Sequence, residues 1–293
     1  LIKIEKSIYE FQTARIVPNN NPYKFIREEC SKLTEIYKGY QAKQIGVLPR
    51  KITSEILEKH VISDVLNVPI GIEKNTLDVN YYKIGEHYIN LVLSEDGSYK
   101  QFAKDLTNFI AEKYSKIEVN FIDENNEIKE ISSKARKIAG INSAEKIIDE
   151  LYQLVLERNN EYKEALEQNR KCEEFSNKLF IINSIKTLFD DKDETRKQKL
   201  ELALEKGSKN YNINFVIFED LKKINIMSSK KWYREHIKTN NGIWIGRGFA
   251  NQYTFNVGNN TGEIRKELTD DNFAIVIENS NANIVKILNT REE

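Results

Sequence analysis

The chain has 293 residues, 31% of them charged, and its 45 basic and 45 acidic residues cancel at neutral pH. This length allows a sizeable hydrophobic core and lies near the upper limit for one domain. Because charges of both signs are interspersed, the composition argues against the single-sign field of a nucleic-acid groove. Cys30, Cys172 and three scattered histidines lack metal-ligand or disulfide spacing, so neither a zinc site nor a disulfide framework is expected.

The apolar segments are all short. No run approaches the roughly 18 to 20 residues that a membrane-spanning helix needs, and no signal peptide precedes the first strand pattern. The sequence therefore predicts a soluble segment. Its first residue is Leu1 rather than Met, which favours a piece of a longer protein.

The first 69 residues contain all four prolines, a distribution typical of a linker. Residues 1–17 predict two extended segments, and the VPNNNP that overlaps their end predicts a turn. A partial apolar stripe predicts a helix from Tyr23 to Tyr37. The segment GVLPRKI, residues 46–52, is predicted to connect to the core. We therefore expect residues 1–66 to form a β/α linker packing on the core, and residues 67–293 to form the main domain.

Strand and helix patterns alternate from Val68 onward. Short apolar runs predict strands at residues 68–73, 89–93, 117–123, 178–185, 212–220, 242–248, 272–278 and 283–288. The 3.6-residue period predicts helices at residues 98–114, 141–177 and 193–206. Continuous apolar strands that alternate with helices predict an α/β fold, with a mostly parallel sheet covered by helices on both faces.

The most informative segment is YINLVLSEDGSYKQF, residues 88–102. The apolar run Ile89–Leu93 is followed by Gly97, Ser98 and Lys100 at the start of a helical pattern. This is the layout of a nucleotide-binding strand, phosphate loop and helix. From these residues alone, an ordinary strand-to-helix turn is the preferred interpretation.

The loop lacks most of what a working phosphate loop needs. Ser94 and Tyr99 stand where glycines are required, and Gln101 replaces the hydroxyl residue that ligands magnesium. A left-handed Tyr99 would cost about 1 to 3 kcal/mol, so we expect another loop path, with the phenol in the space of the phosphates. Lys100 still offers a positive charge. The candidate cofactor-binding residues are Ser94, Glu95, Asp96, Gly97, Ser98, Tyr99, Lys100 and Gln101.

Five segments, in order, resemble the ATPase modules of the FtsK/SpoIIIE family, and within it the last ATPase domain of type VIIb secretion coupling proteins. They are IYEFQTARI (8–16), VLPRKI (47–52), the stretch from VPIGIE to the loop (68–100), ALEKGSKNYNINFVIFED (203–220) and GIWIGRG (242–248). The resemblance covers residues 8–288 and implies a RecA-like P-loop NTPase fold. Because terminal modules of that group tend to carry damaged nucleotide motifs, the degenerate loop favours such a module over a DNA-translocating motor.

The resemblance also locates a degenerate second nucleotide motif, the Walker B position. A working motif ends its strand in two acids, which hold magnesium and polarise the attacking water. Here the strand ends in Ile181, Ile182, Asn183 and Ser184. Neither Asn183 nor Ser184 carries a negative charge, so hydrolysis is predicted to be weak or absent.

The resemblance implies ATP as cofactor, with Mg²⁺ possible. It implies secreted helical substrates of the WXG100 or a related type as partners, together with neighbouring ATPase domains and the other protomers of a hexamer. It places the domain at the cytoplasmic face of the bacterial cell membrane, attached only through upstream segments. A substrate groove requires an exposed apolar pocket, and Trp232, Tyr233, Ile243 and Trp244 are candidates, although core packing explains them better.

Two other functions stay open at the sequence level. In an active secretion motor, Glu95, Asp96, Glu219 and Asp220 would replace the missing acids, although helix capping accounts for the last two more simply. A DNA-translocase module would need a phosphate-binding patch, for which Lys222, Lys223, Lys230 and Lys231 are the candidates. The neutral charge balance makes nucleic acid an unexpected partner.

Overall fold

The computed structural model describes residues 2–4, 7–9, 21–38, 46–62, 66–172, 174–190, 193–258, 264 and 270–291. The chain divides into two compact units, Leu1–Gly46 and Val47–Glu293. Part of the resemblance at residues 8–16, and most of the turn predicted at VPNNNP, lie outside the described residues.

The described residues of the smaller unit form two paired strands and a helix. Strands β1 (Ile2–Ile4) and β2 (Ser7–Tyr9) pair in antiparallel fashion. Helix α1 (Pro22–Ile36) begins where Asn21 accepts a hydrogen bond from the Lys24 amide at 3.2 Å, with proline in its first turn. The helix predicted over residues 23–37 is confirmed.

The larger unit alternates strands and helices as predicted. Its strands are β3 (Asn67–Glu73), β4 (Val79–Lys83), β5 (Ile89–Ser94), β6 (Ile117–Ile122), β7 (Arg136–Ile138), β8 (Asn177–Asn183), β9 (Ile213–Asp220), β10 (Gly242–Ile245), β11 (Phe273–Glu278) and β12 (Asn281–Ile287). Its helices are α2 (Ser54–Glu58), α3 (Tyr99–Lys113), α4 (Ile141–Glu167), α5 (Ile185–Phe189), α6 (Glu194–Lys206), α7 (Leu221–Met227) and α8 (Lys231–His236).

All ten strands form one sheet in the order β4-β3-β12-β11-β10-β5-β9-β8-β6-β7. The strands from β10 to β7 in this order run parallel, whereas β4, β3, β12 and β11 are joined by antiparallel pairings. The parallel half brings the carboxyl ends of β5, β9, β8 and β6 to one edge, which is where ligands bind in open α/β sheets.

Helices cover both faces of the sheet. On one face, α2 and α3 pack in a core that includes Leu57, Phe102 and Phe218. On the other, α4 to α8 pack in a second core with Leu151 and Trp232. The predicted α/β fold class with a mostly parallel sheet is confirmed, and strands β4 and β7 are additions to the prediction.

Residues before β3 contribute to the core of the larger unit. Ile52 and Leu57 have no exposed surface, and Ile52 forms a parallel bridge with Leu288. The compact unit therefore starts at Val47, inside the segment predicted as linker. The boundary between linker and ATPase-like domain after residue 66 stays a prediction. Within the described part of the chain, no helix has the length and apolar character to cross a membrane.

Candidate nucleotide site at the carboxyl edge of the sheet

The loop between β5 and α3 is a tight turn closed by its own side chains. Gly97 has a φ of 78° and supplies the left-handed position. Its amide donates to Ser94 Oγ at 2.9 Å, and the Ser98 amide donates to Asp96 Oδ1 at 3.2 Å. Two backbone N–H groups of the kind that face phosphates in a working loop, those of Gly97 and Ser98, are therefore already bonded within the loop.

Tyr99 is the first residue of α3 and is not left-handed. The loop follows another path than a left-handed Tyr99 would require, as expected, because Gly97 takes that conformation. Its side chain is buried, with its ring centroid 5.8 Å from that of Phe218. Burial raises the pKa of the Tyr99 phenol, and nearby carboxylates, with Glu219 and Asp220 foremost, raise it further.

Lys100 bends back over the loop and is paired. A Cβ added to Gly97 would lie 3.4 Å from its Cε and 3.8 Å from its Nζ. Lys100 Nζ lies 2.8 Å from Glu127 Oε2. This hydrogen-bonded pair holds the pKa of Glu127 below its usual range, and Asn183 contributes in the same direction. The one cation that the loop retains is thus held by a carboxylate.

Gln101 faces away from the loop. Its side-chain amide donates to both carboxylate oxygens of Asp105, at 3.0 and 2.9 Å. Asp105 also accepts from the amide and the hydroxyl of Thr290, near the end of the chain. Asp105 therefore links α3 to the C-terminal segment, Gln101 supports Asp105, and the magnesium-ligand position of a phosphate loop is left without a hydroxyl.

The turn after β10 lies against the loop. Gly246 and Gly248 both have left-handed φ angles, 76° and 82°. A Cβ on Gly246 would lie 2.7 Å from Ser98 Oγ, and one on Gly248 would lie 2.0 Å from Glu95 Oε2. Glycines are required here because any side chain would collide with the loop. The GIWIGRG segment thus covers one side of the candidate site.

Asn183 and Ser184 lie at the end of β8, between acids from both neighbouring strands. Asn183 Nδ2 donates to Asp123 Oδ1 at 2.9 Å, where Asp123 directly follows β6. Ser184 Oγ donates to Glu219 Oε2 at 3.0 Å, from the end of β9. The neutral pair therefore separates two buried carboxylates, and an acid at either position would meet a like charge.

Glu219 and Asp220 have different environments. Glu219 is fully buried and accepts from the amides of Lys186 and Asp220 at 2.9 and 3.0 Å. Burial raises the pKa of Glu219, against the opposing effect of those hydrogen bonds. Asp220 Oδ1 lies 3.4 Å from Ser94 Oγ, which places it against the loop. Glu219 thus anchors the start of α5, whereas Asp220 borders the candidate site.

The site offers a phosphate only part of what it needs. A helix N-terminus and Lys100 are present, but Lys100 is paired with Glu127 and the loop amides are bonded locally. Acids also outnumber lysines at this edge, which disfavours an unaccompanied anion. The acids are Glu95, Asp96, Asp123, Glu127, Glu219 and Asp220. Among the described residues, no group of three or more acids, histidines or cysteines is arranged to hold a metal ion.

Other candidate residues from the sequence lie elsewhere in the fold. Trp232, Ile243 and Trp244 have no exposed surface, so they belong to the core and line no groove. Three of the four candidate phosphate-binding lysines are paired with acids. These are Lys223 with Asp220 (3.4 Å) and Glu219, Lys230 with Glu201 (2.9 Å), and Lys231 with Glu205 (2.6 Å).

Sequence reasoning missed Asp123 and Glu127. Both follow β6; the pairing of β6 with β8 brings Asp123 to Asn183, and Glu127 reaches Lys100 of the loop. The only signal in the sequence was position, since an acid directly after an apolar strand is expected at the ligand-binding edge of a parallel sheet.

No protein-family model matches the sequence, and the search of curated proteins found no significant match. Solved structures are similar in fold. The cytoplasmic domain of EssC aligns with a TM-score of 0.66 and 12% identity, over 91% of this chain and 53% of that one. Thermomonospora curvata EccC, ATPases 2 and 3 in complex with a signal sequence peptide, gives 0.64 and 13%, over 92% and 48%.

A third similar structure is the monomer form of the pCW3 conjugation coupling protein TcpA with ATPγS, with a TM-score of 0.60 and 13% identity over 92% of this chain and 83% of that one. This chain spans about half the length of the EssC and EccC structures. The chain thus has the fold of the P-loop ATPase domains of type VII secretion and conjugation coupling proteins. The resemblance predicted from the sequence is confirmed at the level of the fold.

Proposed function

We propose that this chain is a degenerate ATPase-like domain of a type VII secretion coupling protein, corresponding to its last ATPase domain. It binds ATP weakly, hydrolyses it slowly or not at all, and receives secreted helical proteins. One observation carries the proposal: the uncharged Asn183 and Ser184 stand at the end of β8, where the resemblance implies the second nucleotide motif, and are hydrogen-bonded to acids of the neighbouring strands.

Weak nucleotide binding follows from the state of the loop. Phosphates would have to displace Glu127 from Lys100 and compete with Ser94 and Asp96 for loop amides. The ion pair itself is half exposed, so it is worth about 1 kcal/mol or less and yields to a competing anion. Binding is therefore penalised but not blocked, with Lys100 as its main contact.

The test is a titration of the purified chain with a fluorescent ATP analogue, with and without magnesium, beside Lys100→Ala. We expect saturable binding that the substitution weakens at least tenfold, and no turnover above background. The matched control is Lys104→Ala. Lys104 lies one helical turn beyond Lys100 in α3 and pairs with Glu130. No binding at millimolar nucleotide would contradict the nucleotide part of the proposal.

An active secretion motor is the second candidate, and the position of Asp220 favours it. The Asp220 carboxylate borders the loop, 3.4 Å from Ser94 Oγ, where it could serve in place of the missing acids. Steady magnesium-dependent turnover near one per second, abolished by both Lys100→Ala and Asp220→Asn, would establish this candidate and overturn the first.

The similar structures support the remaining parts of the proposal. The EccC structure holds a signal sequence peptide, and the EssC structure is a cytoplasmic domain. By analogy, the partners of this domain are secreted substrates of the WXG100 or a related type, neighbouring ATPase domains and the other protomers of a hexamer. It would act at the cytoplasmic face of the cell membrane. DNA translocation is disfavoured because most of the candidate lysine patch is paired with acids.

A further inference from the structure

The loop between β5 and α3 offers different surroundings to the inner and the outer phosphates of a nucleotide. In a working phosphate loop, backbone amides and the helix N-terminus hold the inner phosphates, whereas the lysine reaches the outer ones. Helix α3 begins directly after the loop, and Ser98, at its N-cap position, makes no capping bond through its side chain. The positive end of the α3 dipole is therefore still available to the inner phosphates.

Two carboxylates lie where the outer phosphates would approach the lysine. Glu127 Oε2 lies 2.8 Å from Lys100 Nζ, so a carboxylate already holds the ammonium group that an outer phosphate would meet. A Cβ added to Gly97 would lie 3.8 Å from Lys100 Nζ and 3.9 Å from Asp220 Oδ1. Lys100 and Asp220 are therefore on the same side of Gly97, and a phosphate that approaches the lysine also approaches this second acid.

The charge of a third phosphate would meet little compensation at this position. Lys223, the other lysine beside the loop, lies 3.4 Å from Asp220 Oδ2 and 3.9 Å from Glu219 Oε1, so it too is paired with acids. Gln101 supplies no hydroxyl for a magnesium ion, and in the described part of the chain no acids, histidines or cysteines are grouped to hold one. Each added phosphate charge therefore increases the repulsion more than the attraction.

The carboxylates at this edge act together on the start of α3. Burial is the main cause of the raised pKa of the Tyr99 phenol, and four carboxylates raise it further, those of Glu219, Asp220, Glu127 and Asp123. Their negative potential therefore extends across the first turn of the helix. It falls on whatever anion enters the loop, and most on the anion with the larger charge.

We propose that this site selects a nucleoside diphosphate over the corresponding triphosphate. With a diphosphate bound, the carboxylate of Glu127 stays on Lys100, in the place that a third phosphate would otherwise take. A triphosphate has to displace Glu127 and approach Asp220. The inference rests on the proposed nucleotide binding and adds the class of nucleotide. Since a diphosphate is what a nucleoside triphosphatase releases, occupancy of this site would follow the activity of such an enzyme.

The size of the preference follows from the exposure of the charges. The side chains of Lys100 and Glu127 are 46% and 40% exposed, so solvent screens each interaction. A screened charge pair shifts an equilibrium by about fivefold at most, and two carboxylates together should give a preference of about tenfold. Because the effect is electrostatic, the preference should shrink as the salt concentration rises.

The experiment titrates the full chain with fluorescent analogues of ADP and of ATP that carry the same fluorophore on the ribose, without magnesium. We expect the ADP analogue to bind about tenfold more tightly. Glu127→Gln should reduce this preference to about threefold, and Glu127→Gln with Asp220→Asn should abolish it. The matched control is Glu130→Gln, whose carboxylate pairs with Lys104 and which should leave the preference unchanged. Urea unfolding confirms that each variant folds.

A competition experiment separates the phosphates from the rest of the nucleotide. Inorganic pyrophosphate and tripolyphosphate carry no base or sugar, and each displaces the ADP analogue only through its phosphates. We expect pyrophosphate to compete at a lower concentration than tripolyphosphate, and the double variant to remove the difference. The reverse order would contradict selection by Glu127 and Asp220.

The outcomes distinguish this inference from the proposed function. Equal or tighter binding of the ATP analogue would overturn the selectivity and leave nucleotide binding in place. A preference for the ADP analogue that survives in the double variant would overturn the role of the two carboxylates. If neither analogue binds at millimolar concentration, the proposed nucleotide binding fails and the selectivity fails with it.

Discussion

Glu127 competes with phosphate for Lys100 in this domain. The two side chains are 40% and 46% exposed, so solvent screens their attraction and the pair contributes little to stability. Its importance is for binding, because the same carboxylate that holds Lys100 also repels an approaching phosphate. Nucleotide affinity is therefore set in part by a residue outside the loop.

Replacing Glu127 with Gln should raise nucleotide affinity. Loss of the negative charge frees Lys100 and removes a repulsion worth about 1 kcal/mol, which corresponds to a gain of roughly fivefold. Titration with the fluorescent ATP analogue measures this gain. Glu130→Gln is the control, because Glu130 lies in the same β6–β7 connection as Glu127 but pairs with Lys104, at 2.7 Å. Weaker binding by Glu127→Gln would instead make Glu127 a contributor to the nucleotide site.

Glu219 should make the stability of the protein depend on pH. Burial raises its folded-state pKa above 4.5, so its contribution to the free energy of unfolding is fully present below pH 4.5 and is lost as pH rises through the folded pKa. Urea unfolding of the unmodified chain and of Glu219→Gln measures this contribution. As pH falls toward 4.5, the free energy of unfolding of the unmodified chain should increase relative to that of Glu219→Gln. A difference constant with pH would contradict the raised pKa.

At the scale of elements, Tyr99 belongs to α3 more than to the loop. Its aromatic ring packs on Phe218 beneath the first turn of the helix, in the same core as Phe102. The residue that most departs from a working phosphate loop is therefore an anchor of the helix that follows. Damage to the motif and stability of the fold are linked at this position.

Restoring the motif with Tyr99→Gly should fail as a repair. Removing the buried ring leaves a cavity and should cost about 3 to 5 kcal/mol of unfolding free energy. Tyr99→Phe keeps the ring and should change stability by less than about 1 kcal/mol. Urea unfolding of both variants measures the difference. A stable Tyr99→Gly chain that hydrolyses ATP would show that the phenol is an obstruction and not an anchor.

The central strands and main helices were predictable because their residues are nearly all apolar or strictly periodic. Every residue of β5 is buried, and such runs are identifiable without context. By contrast, β4 is mostly half-buried and β7 has three residues, so neither has a distinct pattern. Helix α4 ends at Glu167, although it was predicted to reach residue 177. The prediction was too long because the charged residues after Glu167 still have a helix-like composition.

The candidate site was predictable only where it is local. The loop, Asn183 and Ser184 follow recognisable strands, and the structure brings them to one edge of the sheet. Glu127 follows β6 and contacts Lys100 at the start of α3, with the rest of that helix and all of β6 between them in the chain. No local pattern encodes such a contact, because it depends on the order of strands in the sheet.

For the whole molecule, the residues before β3 should decide where the larger unit can be cut. A chain that begins at Val47 retains Ile52 and Leu57, both fully buried, whereas one that begins at Asn67 loses them. Each lost core contact costs about 2 to 5 kcal/mol, so the shorter chain should melt at a markedly lower temperature than the longer. Thermal melting of the two chains tests this. Equal melting temperatures would show that residues 47–66 are an extension only.

The order of the sheet also has a consequence for synthesis of the chain. Strand β12 is the last of the described strands in sequence, yet it lies between β11 and β3, which is the first strand of this sheet to be made. While the ribosome is still translating, β3 has only β4 beside it and its other edge is open to wrong partners. A premature stop before Asn281 would leave that edge uncovered, so we expect nonsense variants there to aggregate rather than yield a shorter working domain.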